Sequence, residues 1–145
     1  MTQLRSIIFL LCIFSANLFA GEKMFHENGN AISGYDAVSY HTLKQAVKGD
    51  TRYIFVWKSV NWLFSNQQNL DLFSNSPDKY APKYGGHCAY AASKGYIAPT
   101  DPEAWTLVDN KLYLNYSKSV RTTWLKDIPG NIKNADANWP GLSVQ

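Results

Sequence analysis

The chain has 145 residues, a net charge of +3 and a hydrophobic share of 46%. This length suits one domain, and the apolar content excludes a disordered chain. The sequence contains no block of Lys or Arg, so neither nucleic acid nor an anionic membrane surface is an expected partner.

The N-terminal segment has the order of a secretory signal peptide. A positively charged start precedes an apolar run from Ile7 to Phe14, and a short polar stretch then leads to a cleavage site at Ala20. The apolar run is far shorter than the roughly 20 residues of a membrane span. We predict that residues 1–20 are removed during export to the periplasm or the medium. Residues 21–145 then form the mature protein, without a membrane span.

Removal of the leader takes Cys12 with it and leaves Cys88 as the one cysteine. An exported domain with a single cysteine folds without an internal disulfide. We therefore expect Cys88 to be buried, bound to a metal or paired with another chain.

The first predicted elements of the mature chain form a hairpin. Residues 35–41 are a short mixed apolar and aromatic run, and residues 42–48 form a helical turn or a loop. Residues 52–57 (RYIFVW) are rich in β-branched and aromatic side chains and predict a strand. A turn at residues 58–60 then returns the chain through a second strand at residues 61–64.

Two helices are predicted next. The first covers residues 67–74 and is capped by Ser65 or Asn66. The second begins at Pro77, a residue favoured in the first turn, and runs to about Tyr84 as a short or kinked element.

The following segment predicts a second hairpin. Residues 87–93 are small and favour close packing or a helix. Residues 105–108 and 112–116 predict two strands joined by a tight turn at Asp109-Asn110.

The C-terminal part predicts two more helices. They cover residues 118–127 and residues 132–139, and the second stops at Pro140. Together these elements predict an α+β fold, a small single domain with antiparallel β-hairpins and several short helices packed on them.

Several stretches of the chain resemble the exported, full-length YHS-domain proteins. They are Gly34–Tyr40 (GYDAVSY), Asn61–Ser65 (NWLFS), Ser76–Pro82 (SPDKYAP), Tyr84–Ala91 (YGGHCAYA), Asp101–Trp105 (DPEAW) and Val108–Tyr116 (VDNKLYLNY). The resemblance covers about residues 31–140, so it implies one YHS-like domain. Short YHS modules accompany metal-transporting ATPases and heavy-metal resistance proteins, where paired cysteines are the expected ligands. This chain has Leu63-Phe64-Ser65 where those modules carry a Phe-Cys-Ser-like segment.

The strongest metal candidate is Cys88 with His87 beside it. Thiolate and imidazole suit a Cu or Zn ion. Neighbouring residues point about 100° apart on a helix, so both reach one ion only in irregular backbone, which Gly85-Gly86 favours. A third ligand has to come from His41 or His26, and His41 is the better candidate. The alternative is that Cys88 is a small buried hydrophobe.

The aromatic residues predict a second kind of site, a cleft that stacks a small planar or sugar-like ligand. The candidate lining residues are Tyr35, Asp36, Tyr40, Trp62, Tyr84 and Tyr90. The alternative is that these rings fill the core and that Asp36 caps a turn.

The sequence leaves three functional hypotheses. The first is an exported binding protein that handles a Cu or Zn ion or a small ligand. The second is a non-catalytic structural or interaction domain with Cys88 in its core. The third is a thiol enzyme with Cys88 as nucleophile and His87 or His41 as base. Since no phosphate-binding glycine loop, dinucleotide fingerprint or HExxH motif is present, enzymatic activity is not the expected function.

Overall fold

A computed structural model describes residues 21–145 of the chain. It has six strands and six helices in that range, together with three short 3₁₀ turns. The strands are β1 (His26–Glu27), β2 (Asn30–Ala31), β3 (Asp50–Trp57), β4 (Val60–Phe64), β5 (Asp101–Val108) and β6 (Lys111–Asn115). The helices are α1 (Ala37–Thr42), α2 (Gln67–Asn75), α3 (Pro77–Tyr80), α4 (Ala89–Ser93), α5 (Lys118–Trp124) and α6 (Ile128–Leu142). The predicted α+β fold is confirmed.

The strands form two sheets. One sheet has the order β1-β2-β4-β3, and the other is the hairpin β5-β6. The two predicted hairpins, β3-β4 and β5-β6, each turn through two residues with positive φ, Lys58-Ser59 and Asp109-Asn110. Two successive positive φ angles are typical of the turn that matches the right-handed twist of paired strands.

β6 lies between two hydrophobic clusters. Leu112 and Leu114 pack in the first cluster, which contains Trp62, Phe64 and Phe73 from β4 and α2. Tyr113, on the opposite face of the strand, packs in the second cluster, which is built around α4, α5 and α6. Side chains alternate along a strand, so β6 supplies both clusters and is covered on both faces.

Prolines change the predicted helices. α3 ends at Tyr80 rather than near Tyr84, because Ala81 precedes Pro82 and adopts extended backbone angles. The C-terminal helix is longer than predicted. It begins at Ile128 with Pro129 in its first turn, where a missing N–H is tolerated, and it continues past Pro140 to Leu142.

Asp36 is the N-cap of α1. This helix covers most of the run at residues 35–41, for which the sequence predicted neither a helix nor a strand. The Asp36 carboxylate accepts hydrogen bonds from the N–H groups of Val38 and Ser39. Among residues 21–145, no helix is long and apolar enough to cross a membrane. The predicted signal peptide lies outside the described residues.

Candidate ligand site around Cys88

Irregular backbone positions Cys88. A 3₁₀ turn at Tyr84–Gly86 precedes it, and Gly85 and Gly86 adopt φ values of 60° and 79°. Positive φ is accessible to glycine at little cost. The N–H of Cys88 then donates to the carbonyl of Ala98 at 3.0 Å, and α4 begins directly after it. The predicted irregular backbone at Gly85-Gly86 is therefore present directly before His87 and Cys88.

The Cys88 thiol makes two hydrogen bonds, one with the last residue of β6 and one with the residue that follows it. Its S–H donates to Oδ1 of Asn115 at 3.5 Å. The backbone N–H of Tyr116 donates to Sγ at 3.3 Å. The whole residue is 1% exposed, and Asn115 is fully buried. The thiol thus has both an acceptor and a donor within reach.

A cleft of about 280 Å³ lies against the thiol. Its lining residues are Cys88, Tyr90, Ala91, Tyr96, Ala98, Tyr116 and Val120. Tyr96 and Tyr116 are 54% and 57% exposed, so two tyrosine rings line the cleft on its solvent side. None of the lining side chains carries a formal charge. The cleft is an apolar and aromatic space with Cys88 in its wall.

His87 has different neighbours from Cys88. Its Nδ1 donates to the carbonyl of Tyr84 at 3.0 Å, and its ring packs between Phe25 and Trp139. Burial lowers the pKa of His87, and nearby Lys23 lowers it further, against the hydrogen bond to Tyr84. His87 is not among the residues that line the cleft.

His41 lies at a third location. Its Nε2 is 3.2 Å from the carbonyl of Tyr80, and its ring meets the Tyr80 ring edge-on. Burial lowers the pKa of His41, and Lys44 and Lys79 act in the same direction. Between Gly21 and Gln145, no three His, Cys, Asp or Glu residues are grouped so that they could hold a metal ion. The structure therefore does not bring Cys88, His87 and His41 together, and Cu or Zn binding by them stays a prediction.

Three of the predicted pocket residues are core residues with internal partners. Asp36 is fully buried and caps α1. The Tyr40 hydroxyl donates to the carbonyl of Pro102 at 2.8 Å, and burial raises the pKa of Tyr40. Trp62 donates from Nε1 to the carbonyl of Trp57 at 3.0 Å. These residues support the alternative in which the rings fill the core.

The other three predicted pocket residues lie in separate places. Tyr90 lines the Cys88 cleft. Tyr84 lines a second cleft of about 240 Å³ together with Trp139, and its hydroxyl donates to Asp136 at 2.9 Å. Tyr35 is half-buried against the first hydrophobic cluster. The six residues do not form one pocket.

Four residues near the thiol are not among those predicted from the sequence: Tyr96, Tyr116, Val120 and Asn115. The first three come from a loop, a strand end and a helix, and only the fold brings them to Cys88. The sequence does contain an indication for Asn115. It is a polar residue two positions after Tyr113, so the two side chains lie on the same face of the predicted strand. A buried amide in a strand needs partners, and here one partner is the thiol.

Comparison with known proteins gave no match: no protein-family model, no curated protein and no solved structure corresponds to this chain.

Proposed function

We propose that this chain is an exported YHS-type binding domain whose ligand is a small uncharged aromatic molecule held in the cleft over Cys88. The observation that carries the proposal is the convergence of three tyrosine rings and one thiol on a space without formal charges. The leader pattern supports export, and the motifs from Gly34 to Tyr116 support the YHS-type assignment.

The aromatic character of the ligand follows from the walls. Tyr90, Tyr96 and Tyr116 line the space, and offset or edge-on pairs between aromatic rings add about 0.5–1.5 kcal/mol each to the energy of burial. The volume of about 280 Å³ is close to the lower end of the about 300–1,000 Å³ that small-molecule sites occupy. A ligand of one or two fused rings suits this space.

The absence of charge on the ligand follows from the cost of desolvation. An ion that enters an apolar site without a partner loses hydration that nothing replaces. The lining side chains offer it no opposite charge. Lys94 lies over the Tyr90 ring at 5.0 Å and is not among the residues of the wall.

A structural or interaction domain is the second candidate. Cys88 is 1% exposed and is followed by the buried residues Ala89, Ala91 and Ala92. In that case the sulfur fills space in the core and the cleft has no ligand.

The rate at which iodoacetamide alkylates Cys88 tests the proposal. The protein is expressed with its own leader and purified in its processed form. Indole serves as the uncharged aromatic probe and benzoate as the charged control. We expect indole at ten times its Kd to slow alkylation roughly tenfold, because the fraction of free sites falls by that factor. Benzoate leaves the rate unchanged.

Tyr116 provides a matched pair of variants. Tyr116→Phe keeps the ring and therefore retains the protection by indole, whereas Tyr116→Ala loses most of it. Leu43→Ala, at a site 58% exposed and outside the cleft, is the control for general surface effects. If Cys88 of the native protein does not react at all, or if indole protects it no better than benzoate does, the structural role replaces the ligand-binding one.

A further inference from the structure

Asn115 carries a buried hydrogen-bond donor that has no partner. The residue is fully buried, and its Nδ2 is one of two buried side-chain N–H groups left unpaired within residues 21–145. The other is Nε1 of Trp124. A buried donor without a partner costs about 1–3 kcal/mol, so such a group in a well-packed core calls for an explanation.

The orientation of this carboxamide is fixed by its neighbours. The backbone N–H of Tyr90 donates to Oδ1 at 3.0 Å, and the Cys88 thiol donates to the same oxygen. A backbone N–H cannot accept a hydrogen bond, so the oxygen has to lie at this position. Nδ2 belongs to the carboxamide whose oxygen contacts the thiol, and its hydrogens are unpaired.

Cys88 is 1% exposed as a whole residue and lines a cleft that opens to solvent. Cys88 and Tyr90, the two residues that bond to Oδ1 of Asn115, both line the cleft. A molecule of two heavy atoms fits this cleft of about 280 Å³, whereas a folded protein does not. Cys88 is also the one free cysteine in the described part of the chain, so that part contains no second thiol that could form a disulfide with it.

We propose that Cys88 is a peroxide-oxidised thiol, and that the oxygen it gains accepts a hydrogen bond from Nδ2 of Asn115. The sulfur attacks one oxygen of hydrogen peroxide, the S–O bond forms and the O–O bond breaks. The second oxygen takes up the thiol proton and leaves as water. Sulfur loses two electrons, peroxide gains them, and the product is a sulfenic acid.

The same site explains why the sulfenic acid persists. A sulfenic acid is normally consumed by a nearby thiol or by further oxidation. Here Asn115 supplies a donor to its oxygen, and the N–H of Tyr116 at 3.3 Å supplies one to the sulfur. This proposal goes beyond ligand binding and does not require a ligand in the cleft.

Trapping with dimedone, which reacts with sulfenic acids, tests the proposal. The processed protein is reduced, exposed briefly to hydrogen peroxide and quenched with catalase, and dimedone is added after increasing delays. Mass spectrometry then measures the adduct on the Cys88 peptide. We expect one adduct per chain and none in Cys88→Ser.

The reference thiol is Ser119→Cys in a Cys88→Ser background. Ser119 is exposed and lies in the first turn of α5, a few residues after Tyr116. We expect the sulfenic acid of Cys88 to live at least about threefold longer than that of the reference thiol, the factor that one hydrogen bond provides. Asn115→Asp keeps an acceptor for the N–H of Tyr90 and removes the donor. It should shorten the lifetime by a similar factor, whereas Tyr116→Phe should not.

Either of two results would overturn the proposal. One is an absence of adduct on folded wild-type protein under conditions where the reference thiol is labelled. The other is a Cys88 lifetime no longer than that of the reference thiol. The second comparison uses the wild-type site and so decides the matter even if Asn115→Asp does not fold. Indole protection concerns the ligand alone: a Cys88 that iodoacetamide alkylates without protection by indole removes the ligand and leaves the sulfenic acid proposal standing. A Cys88 that reacts with neither iodoacetamide nor peroxide contradicts both proposals.

Discussion

Asp36 and Ser65 are joined by two hydrogen bonds across 29 positions of the chain: the N–H of Ser65 donates to Oδ2 of Asp36 at 2.9 Å, and the Ser65 hydroxyl donates to it at 2.8 Å. Nδ2 of Asn69 donates to the same oxygen at 2.8 Å. Oδ1 caps α1. A carboxylate with no exposed surface is therefore fully satisfied by neutral donors, and it connects α1, the end of β4 and α2.

This network makes Asp36→Asn a destabilising change. The amide can replace only one carboxylate oxygen, and its NH₂ group would face donors that need an acceptor. We expect a loss of at least about 3 kcal/mol in the free energy of unfolding, measured by urea denaturation. The control is Asp71→Asn on the exposed face of α2, which should stay within about 0.5 kcal/mol of wild type. Equal losses in both variants would contradict a structural role for Asp36.

Gly85 holds the N-terminal segment against the domain. The N–H of Phe25 donates to the carbonyl of Gly85 at 2.8 Å, and Gly85 has a φ of 60°. A Cβ at this position would overlap the carbonyl of Lys23. Gly85→Ala should therefore destabilise the protein by at least about 1 kcal/mol.

Gly141 is the matched glycine for that experiment. It lies in α6, and a Cβ there meets nothing within 4 Å. Gly141→Ala should stabilise the protein by up to about 1 kcal/mol, because alanine favours the helix. Thermal unfolding of both variants measures the contrast, and a Gly85→Ala variant as stable as Gly141→Ala would rule out the close approach.

His87 gives stability a defined dependence on pH. Burial lowers its pKa in the folded state, so below the ordinary pKa of about 6.5 the unfolded chain binds a proton that the folded chain resists. Stability should fall as the pH decreases from about 7.5 to about 5.5, and should be level above that range. His41, whose pKa is also lowered, contributes with the same sign.

The variant His87→Asn isolates this contribution. Its amide can still donate to the carbonyl of Tyr84, but it does not titrate. We expect a shallower loss of stability between about pH 7.5 and about pH 5.5 than in wild type. His26→Asn, at an exposed position, serves as the control and should follow the wild-type profile. A His87→Asn profile as steep as wild type would assign the dependence to other groups.

Native mass spectrometry tests the metal hypothesis directly. The three candidate ligands are held by different partners, so we expect no Cu(I) or Zn(II) ion to be retained tightly by the processed protein after anaerobic addition. One ion per chain that disappears in Cys88→Ser would restore the metal site and displace the apolar ligand.

Local signals in the sequence determined most of the elements. The β-branched run of β3, the cap at Asn66 and the Asp109-Asn110 turn each act over a few residues, and each appears in the structure near the predicted position. Helix ends at prolines were less predictable. Whether a helix continues past Pro140 depends on what its last turn packs against, and Leu142 is buried in the second cluster.

The sequence by itself determined the α+β fold class and singled out Cys88, because strand, turn and cap signals are local and the thiol stands alone after the predicted leader. Only the tertiary structure decided what surrounds that thiol. Tyr96, Tyr116, Val120 and Asn115 reach it from different elements, while His87 packs elsewhere. These contacts form because hydrophobic clusters pack on both faces of β6 and bring distant segments of the chain together. No local pattern of residues specifies that packing.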